Sequence, residues 1–240
     1  MKIYKNISKH PRLFDSSRKR KALIIGGTGA TGRRVVNQLL DSSDWSMVTS
    51  ISRRSTLGDS ITHPKLNDVV ISSLYDMESV FDQFTGNDVF FNCIGTTRKK
   101  AGSASSFKSI EYGISNIAAK LASKAKIPHA SVISASGANS NLWSHDLIHP
   151  LFYSKTMGLK EQTLIHNSFN RVSIFRPGML IRQINSSSIF EKLVEKSGFG
   201  LKVDLLASAM LRDSMCKDEG SSQTPIVYYG NKCINDSIDL

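Results

Sequence analysis

The fold of this chain is decided by the stretch Ala22-Leu23-Ile24-Ile25-Gly26-Gly27-Thr28-Gly29-Ala30-Thr31-Gly32. Its first four residues are apolar without a break, which is typical of a parallel strand that is buried on both faces. After the glycines, apolar residues recur at the spacing of a helix face, at Val35, Val36, Leu39 and Leu40. A glycine-rich turn between a strand and a helix presents backbone N–H groups and the positive end of the helix dipole to a phosphate. The stretch therefore predicts a dinucleotide-binding turn, with the cofactor held by Gly26, Thr28, Gly29, Ala30, Thr31 and Gly32.

Apolar runs and helical stripes alternate along the rest of the chain. Further strands are predicted at 47–52, 69–71, 89–94, 130–134, 172–175 and 225–229, and helices at 77–84, 107–126, 152–166 and 203–215. This alternation favours a doubly wound parallel sheet with right-handed crossovers. We therefore expect one Rossmann-like α/β domain at 21–240, preceded by a basic N-terminal extension at 1–20.

The composition is that of an ordinary globular protein. Hydrophobic residues make up 40% of the chain and charged residues 21%. No apolar run reaches the ~18 residues of a membrane span. Three cysteines without C-x-x-C spacing indicate a reducing compartment, and Cys93, in an apolar run, is expected in the core.

Most of the net charge of +11 lies at the N-terminus. Residues 1–21 contain eight lysines and arginines but only one acid, Asp15. Such a segment can be a mitochondrial presequence, a membrane or nucleic-acid arm, or a solvated extension, and we favour the last. Nucleic-acid binding is disfavoured because the charge lies outside the predicted fold and no recognition module accompanies it. A cytoplasmic location is expected, with a mitochondrial one as the alternative.

The residues after the second predicted strand favour NADP(H) over NAD(H). An NAD site usually has an acid against the ribose 2′-OH, whereas an NADP site has arginine against the 2′-phosphate. Arg53 lies 21 residues after Gly32, near the ~20 expected of the ribose-reading position, and no acid occurs at 45–58. Guanidinium groups bind phosphate bidentately. We therefore predict Arg53 and Arg54 at the 2′-phosphate, with Arg33 as a third cation, against the alternative of a solvated arginine pair.

Several further strings reach from about Lys21 to near the end of the chain. They are Gly26–Gly32, Ser52-Arg53-Arg54, Cys93-Ile94-Gly95-Thr96-Thr97-Arg98, Lys100-Ala101-Gly102, Ser134 with Gly137-Ala138, Phe175-Arg176-Pro177-Gly178 and Asn231-Lys232. Together they resemble an atypical short-chain dehydrogenase/reductase group, the Tat-interacting oxidoreductase family with its fungal mitochondrial relatives. The resemblance implies a Rossmann-like fold, NADP binding and oxidoreductase activity. It also implies that Gly95, Thr96 and Thr97 lie beside the cofactor and that Pro177 lies at its nicotinamide end.

The same resemblance implies a proton relay. In such reductases a tyrosine protonates the carbonyl oxygen, a serine holds that oxygen, and a lysine four residues after the tyrosine makes the phenol more acidic. The lysine matters because an unassisted phenol, with a pKa near ~10, is a poor acid–base at neutral pH. Met157 stands at the second lysine of the family's Y-x-K-x-K-G-x-x-E pattern, which is otherwise kept at Tyr153, Lys155, Gly158 and Glu161. Tyr153 is the candidate acid–base, against the alternative of a packed or cofactor-stacking tyrosine, and the catalytic set is incomplete.

Two other lysines lie near the tyrosine. Lys155 is about 200° around the helix from Tyr153 and should point away. Lys160 returns to the same helix face but about 10.5 Å further along the axis, where a water could bridge it to the phenol. We favour the simpler interpretation that both lysines are solvated.

The serine is the second departure from the family pattern. The family has two adjacent serines before x-Gly-Ala, and here Ala135 follows Ser134. Ser134 is the candidate catalytic serine, against the alternative of a strand-end hydroxyl bonded to the backbone. His145 and His149 are four residues apart, but no third ligand accompanies them, so a surface loop is favoured and no metal site is predicted.

Two functions fit these observations. The first is an NADP(H)-dependent oxidoreductase that acts on a small carbonyl or alcohol substrate. The second is a catalytically silent NADP(H)-binding protein whose occupancy alters a surface for a protein partner. The segment 178–202, which follows Pro177, carries no recognisable element of substrate specificity.

Overall fold

Seven parallel strands form the central sheet of the structure, a computed structural model that describes residues 18–144, 149–181, 200–216 and 224–238. These strands are β1 (Arg20–Ile25), β2 (Trp45–Ser52), β3 (Leu66–Val70), β4 (Val89–Asn92), β5 (His129–Ile133), β6 (Arg171–Arg176) and β9 (Ile226–Tyr229). Their order is β3-β2-β1-β4-β5-β6-β9, with every neighbouring pair parallel. A separate parallel pair is formed by β7 (Met179–Ile181) and β8 (Gly200–Lys202). The predicted doubly wound sheet is confirmed.

Helices connect the strands on both faces of the sheet. They are α1 (Ala30–Asp41), α2 (Arg98–Ala101), α3 (Ala104–Lys108), α4 (Ser115–Lys124), α5 (His149–Ile165), α6 (Val203–Ser214) and α7 (Gly230–Asp236). A 3₁₀ segment covers Leu74–Phe84, and a π-helical segment (Ser109–Ile114) joins α3 to α4. None of the helices within the described ranges is both long enough and apolar enough to cross a membrane.

The core has two layers, one on each face of the sheet. Alternate residues of β1 enter different layers, so that Leu23 and Ile25 pack with α4 while Ala22 and Ile24 pack with α1 and α6. Both layers exclude water, since all four of these strand residues are fully buried. This explains why the strand reads as a continuous apolar run rather than an alternating one.

The chain reverses its direction of travel across the sheet between β3 and β4. Strands β1 to β3 build one half outward from β1, and β4 to β6 build the other half on its opposite side. In open α/β sheets, ligands bind in the crevice at the carboxyl ends of the strands that flank such a reversal. The glycine turn after β1 and the loop after β4 therefore meet at the predicted binding edge.

Several boundaries differ from the prediction. The helix expected at 107–126 is interrupted by the π-helical segment, and the third strand begins at Leu66, before the apolar run. The short elements α2, α7, β7 and β8 were not predicted, because three to seven residues carry too little periodicity to be recognised. Strand β1 begins at Arg20, which is buried and donates to the carbonyl oxygen of Ser214. Residues 1–17 of the predicted N-terminal extension lie outside the described residues.

A buried charged cluster lies at the amino ends of β5 and β6. Asp213 of α6 accepts hydrogen bonds from Arg171 and, at 2.7 Å, from the Tyr228 hydroxyl. The Nε2 atom of His129 lies 3.5 Å from the same carboxylate. These contacts fasten α6 to the sheet at the end opposite the glycine turn.

Candidate cofactor and active site

The glycine turn is built so that backbone comes close to backbone. Gly26 has a φ of +79°, and a Cβ there would lie 2.5 Å from the carbonyl group of Cys93. A Cβ at Gly32 would lie 2.1 Å from the carbonyl oxygen of Gly26. Both positions therefore require glycine. Gly26 requires it because of its conformation and its contact with the residues directly after β4, and Gly32 because α1 packs directly on the turn.

The N-terminus of α1 is open toward the binding edge. Gly29 is its N-cap residue and provides no side-chain cap, and the first turn of the helix contains no acid. Thr28 is half-buried, Thr31 is buried and Ala30 is exposed. The unsatisfied N–H groups and the helix dipole at this point are suited to a pyrophosphate.

Arg53 and Arg54 follow β2 directly and are both exposed, as is Arg33 in the first turn of α1. Within the described part of the chain, neither Arg53 nor Arg54 makes an ion pair. An acidic residue, Asp68, lies on the neighbouring strand β3, where it pairs with Ser50 of β2. Its carboxylate accepts from the Thr56 backbone N–H at 2.8 Å and from the Thr56 hydroxyl at 2.7 Å. Asp68 thus fixes the loop that carries the arginines.

The loop after β4 is held by a buried carboxylate that the sequence did not point to. Glu111, in the π-helical segment, accepts from the Thr96 backbone N–H at 2.6 Å. Thr97 caps α2 by accepting from the Lys100 N–H at 3.2 Å. Gly95, directly before these two anchored residues, is exposed. The loop therefore presents Gly95–Thr97 at the same edge as the glycine turn.

The prediction that Lys160 is solvated is wrong. Its side chain is 1% exposed, and its Nζ donates to the Ile94 carbonyl oxygen at 2.5 Å and to Glu111 Oε2 at 3.0 Å. Lys155 is half-buried. Burial raises the pKa of the nearby Cys93 thiol to about 12, although the Lys160 charge acts to lower it. Cys93 is a core residue, as expected.

Tyr153 lies on α5 beside the loop after β5. Its half-buried ring lies 5.7 Å from the ring of Phe107, and it packs against a small apolar cluster of Ala135, Ala138 and Met157. Met157, at the place of the family lysine, is buried. Gly158 allows this close packing, because a Cβ there would lie 2.1 Å from the Ser140 nitrogen.

Ser134 is engaged in a buried polar network. Its hydroxyl donates to Glu161 Oε1 at 2.5 Å, and Arg176 donates to both oxygens of the same carboxylate, at 2.7 and 2.6 Å. The hydrogen bond with Glu161 raises the pKa of Arg176. The Ser134 proton is thus directed to a side-chain carboxylate, not to the backbone, and only its lone pairs remain for a ligand.

A second serine lies at the same edge and is exposed. Ser136 donates to the Tyr229 hydroxyl at 3.3 Å, and its backbone N–H donates to the Pro177 carbonyl oxygen at 2.8 Å. Asn231 in turn accepts from the Gly178 N–H at 2.8 Å. Pro177, which is buried, thus lies where the loops after β5 and β6 meet. Tyr229 was not singled out from the sequence, because no motif accompanies it.

Within the described ranges, no three histidine, cysteine or acidic side chains come together as metal ligands. Of the two histidines considered for such a site, His145 lies outside the described residues and His149 begins α5.

The glycine turn at the reversal point of a parallel sheet defines a Rossmann-like dinucleotide-binding protein. A family described as NAD(P)H-binding matches residues 26–210, which is most of the chain. The chain belongs to this NAD(P)H-binding family.

Relatives confirm the resemblance drawn from the sequence strings. The chain is 33% identical over 179 residues to "Protein FMP52, mitochondrial" of Debaryomyces hansenii, covering 74% of each chain. It is 33% identical over 165 residues to the protein of the same name in Candida albicans, covering 68% of this chain and 69% of that one. It is also 27% identical over 214 residues to "Protein HTATIP2" of Rattus norvegicus, covering 85% of each chain.

Solved structures share the fold. The Bordetella bronchiseptica enzyme WbmH in complex with NAD+ superposes with a TM-score of 0.64 at 18% identity, covering 88% of this chain and 76% of that one. The oxidoreductase ylbE from Lactococcus lactis superposes with a TM-score of 0.64 at 15% identity, covering 91% of this chain and 95% of that one.

Proposed function

We propose that the chain is an NADP(H)-dependent oxidoreductase of the atypical short-chain class, acting on a small carbonyl or alcohol substrate. The observation that carries the choice of NADP(H) is the exposed pair Arg53 and Arg54 at the end of β2. The neighbouring acid Asp68 is occupied by the loop and is not offered to a ribose hydroxyl. A cation pair at this position matches a 2′-phosphate, whereas an NAD site has an acid there.

The cofactor lies along the binding edge in this proposal. Its pyrophosphate is held by the N–H groups at Gly29–Gly32, and its adenosine 2′-phosphate by Arg53 and Arg54. Gly95–Thr97 and Pro177 then receive the nicotinamide half. NADPH bound in this way supplies a hydride to the substrate.

Tyr153 supplies the matching proton in the proposed reaction. The phenol would give its proton to the carbonyl oxygen of a substrate whose carbonyl carbon receives the hydride, so that the products would be an alcohol and NADP+, and the phenolate would then take a proton from solvent. Ser134 is the candidate to hold that oxygen, through the lone pairs that its bond to Glu161 leaves. Without a lysine four residues after Tyr153, proton transfer from the phenol is expected to be slow.

The silent NADP(H)-binding protein remains the second candidate. One observation favours it. Met157, at the position where the proton relay needs a lysine, packs in an apolar cluster with Ala135 and Ala138. Such a protein would bind the cofactor through the same residues and present an altered surface to a protein partner.

An NADPH-oxidation assay on a panel of small carbonyl compounds separates the two candidates. We expect turnover that falls by about 10²-fold or more in Tyr153→Phe, the usual contribution of a general acid. Met157→Lys is expected to raise turnover, because it restores a cation one helical turn from the phenol. Tyr75→Phe, which alters an exposed tyrosine bonded to Ser109, is the matched control. If every variant binds NADPH and none oxidises it, the silent candidate is correct.

We also propose a mitochondrial location in place of the cytoplasmic one. The basic composition of residues 1–21 suits a presequence, and the fungal relatives carry the word mitochondrial in their names. Fractionation of cells that express the full chain tests this. We expect the protein to fractionate with mitochondrial markers. When Lys2, Lys5, Lys9 and Arg12 are replaced by glutamine, it should fractionate with cytosolic markers.

A further inference from the structure

A buried ion pair lies directly beneath the loop after β4. Lys160 of α5 and Glu111 of the π-helical segment are 1% and 3% exposed in their side chains, with 3.0 Å between Nζ and Oε2. Burying two charges is costly unless they are paired and their remaining hydrogen-bonding capacity is used. The contacts that this pair makes with its surroundings therefore indicate what it does.

Both members of the pair also bond to the backbone of one loop. Lys160 donates to the Ile94 carbonyl oxygen at 2.5 Å, and Glu111 accepts from the Thr96 N–H at 2.6 Å. These two backbone groups flank Gly95, which is exposed toward the binding edge. The ion pair therefore holds the loop on either side of its one residue without a side chain.

The local helix geometry brings Glu111 into this position. Glu111 lies within Ser109–Ile114, where the helix widens to π-type hydrogen bonding between α3 and α4. Such widenings inside α-helices are rare and occur mostly at functional sites. Glu111 is thus part of an unusual backbone conformation as well as a partner of the loop.

We propose that Lys160 and Glu111 form a positioning pair that holds residues 94–97 in the shape that receives the nicotinamide half of the cofactor. The inference rests on the proposed function. Strand order supplies the geometry, since β4 lies next to β1 on the side away from β2. A dinucleotide with its adenosine over β2 and its pyrophosphate at the glycine turn must extend its other half over β4 and β5. The pair thus acts on the nicotinamide half and not on the adenosine half.

The double variant Glu111→Gln with Lys160→Met tests this by calorimetry with two probes, NADPH and 2′,5′-ADP. Glutamine keeps a side-chain oxygen that can accept from the Thr96 N–H, and methionine fills the space of the lysine side chain without its charge. We expect NADPH to bind about tenfold more weakly or worse, from the loss of hydrogen bonds to charged groups. Binding of 2′,5′-ADP, which lacks the nicotinamide half, should stay within about threefold of the parent protein. If the double variant does not fold, Glu111→Gln alone is expected to show the same difference between the probes.

The matched control is Arg171→Met with Asp213→Asn, which removes a buried ion pair at the opposite end of the sheet. It is expected to lower stability and to leave both affinities unchanged. Equal weakening of NADPH and 2′,5′-ADP in the Glu111 and Lys160 variants, or no weakening of either, would overturn the positioning role while the cofactor assignment stands. A parent protein that binds neither probe would overturn the proposed function and this inference with it.

Discussion

A methyl group at Gly32 has no room, because its carbon would lie 2.1 Å from the carbonyl oxygen of Gly26. Either the glycine turn or the first turn of α1 must then move. We therefore expect Gly32→Ala to lower the free energy of unfolding by about 1–3 kcal/mol, as overpacking typically does. Urea unfolding measures this effect. Calorimetry should also show weaker NADPH binding, because the N–H groups that face the pyrophosphate are displaced.

Gly113→Ala is the control for this substitution. A Cβ at Gly113 would meet Ser109 and Tyr75 at ordinary contact distances of 3.7 and 3.8 Å. The affinity for NADPH is expected to stay within error of the parent protein, and the stability should not fall, because alanine is a better helix former than glycine. Unchanged NADPH binding in Gly32→Ala would show that the turn does not hold the pyrophosphate.

The role of an individual residue could be predicted when its partners lie close to it in the sequence, and could not when they lie far away. Gly26 and Gly32 could be assigned a close backbone approach because the strand, turn and helix that demand it are adjacent in the chain. Lys160 could not be assigned, since its partner Glu111 lies 49 residues away on another helix. A lysine without a visible partner is expected in solvent, so its burial became apparent only in the structure.

Asp213 anchors α6 to the sheet, and this contact should depend on pH. Burial acts to raise the pKa of Asp213, but Arg171 and His129 outweigh it and hold the pKa below its ordinary value. A lowered pKa in the folded state means that the stabilisation is complete above the unfolded pKa of ~3.9 and is lost as the pH falls below it. We expect the free energy of unfolding to decline as the pH is lowered from about 5 to 3. In Asp213→Asn this decline should be shallower.

Urea titrations at a series of pH values measure the decline. Asp41→Asn, which alters an exposed carboxylate at the end of α1, is the control and should keep the slope of the parent protein. An equal slope in Asp213→Asn and the parent would mean that the buried cluster contributes nothing to acid stability.

Elements with a strong apolar pattern could be predicted, and those held by distant partners could not. The first predicted strand and the helix predicted at 203–215 agree with β1 and α6 to within two residues, because their apolar patterns are clear. By contrast, β7 and β8 have three residues each and pair with one another, although they lie far apart in the sequence. The sequence predicts regular helix through the π-helical segment, because the apolar stripe continues through it.

The strand order brings residues from five separate parts of the chain to one edge of the sheet. Carboxyl ends of β1, β2, β4, β5 and β6 carry the glycine turn, the arginine pair, the Gly95–Thr97 loop, Ser134 and Pro177. The fold class and the binding of a dinucleotide were predictable because the glycine turn, with the strand and helix beside it, specifies both. The catalytic chemistry was less predictable. Met157 departs from the family pattern, and the contact of Ser134 with Glu161 depends on how α5 packs in the folded protein.

The affinity for NADPH relative to NADH, measured by calorimetry in the parent protein and in the Arg53→Glu, Arg54→Glu double variant, tests the cofactor assignment most directly. We expect the parent to prefer NADPH. The double variant should bind NADPH at least about tenfold more weakly, since charge-assisted contacts to the 2′-phosphate are lost, while NADH binding changes little. Equal weakening of both cofactors, or a parent protein that binds neither, would contradict the assignment.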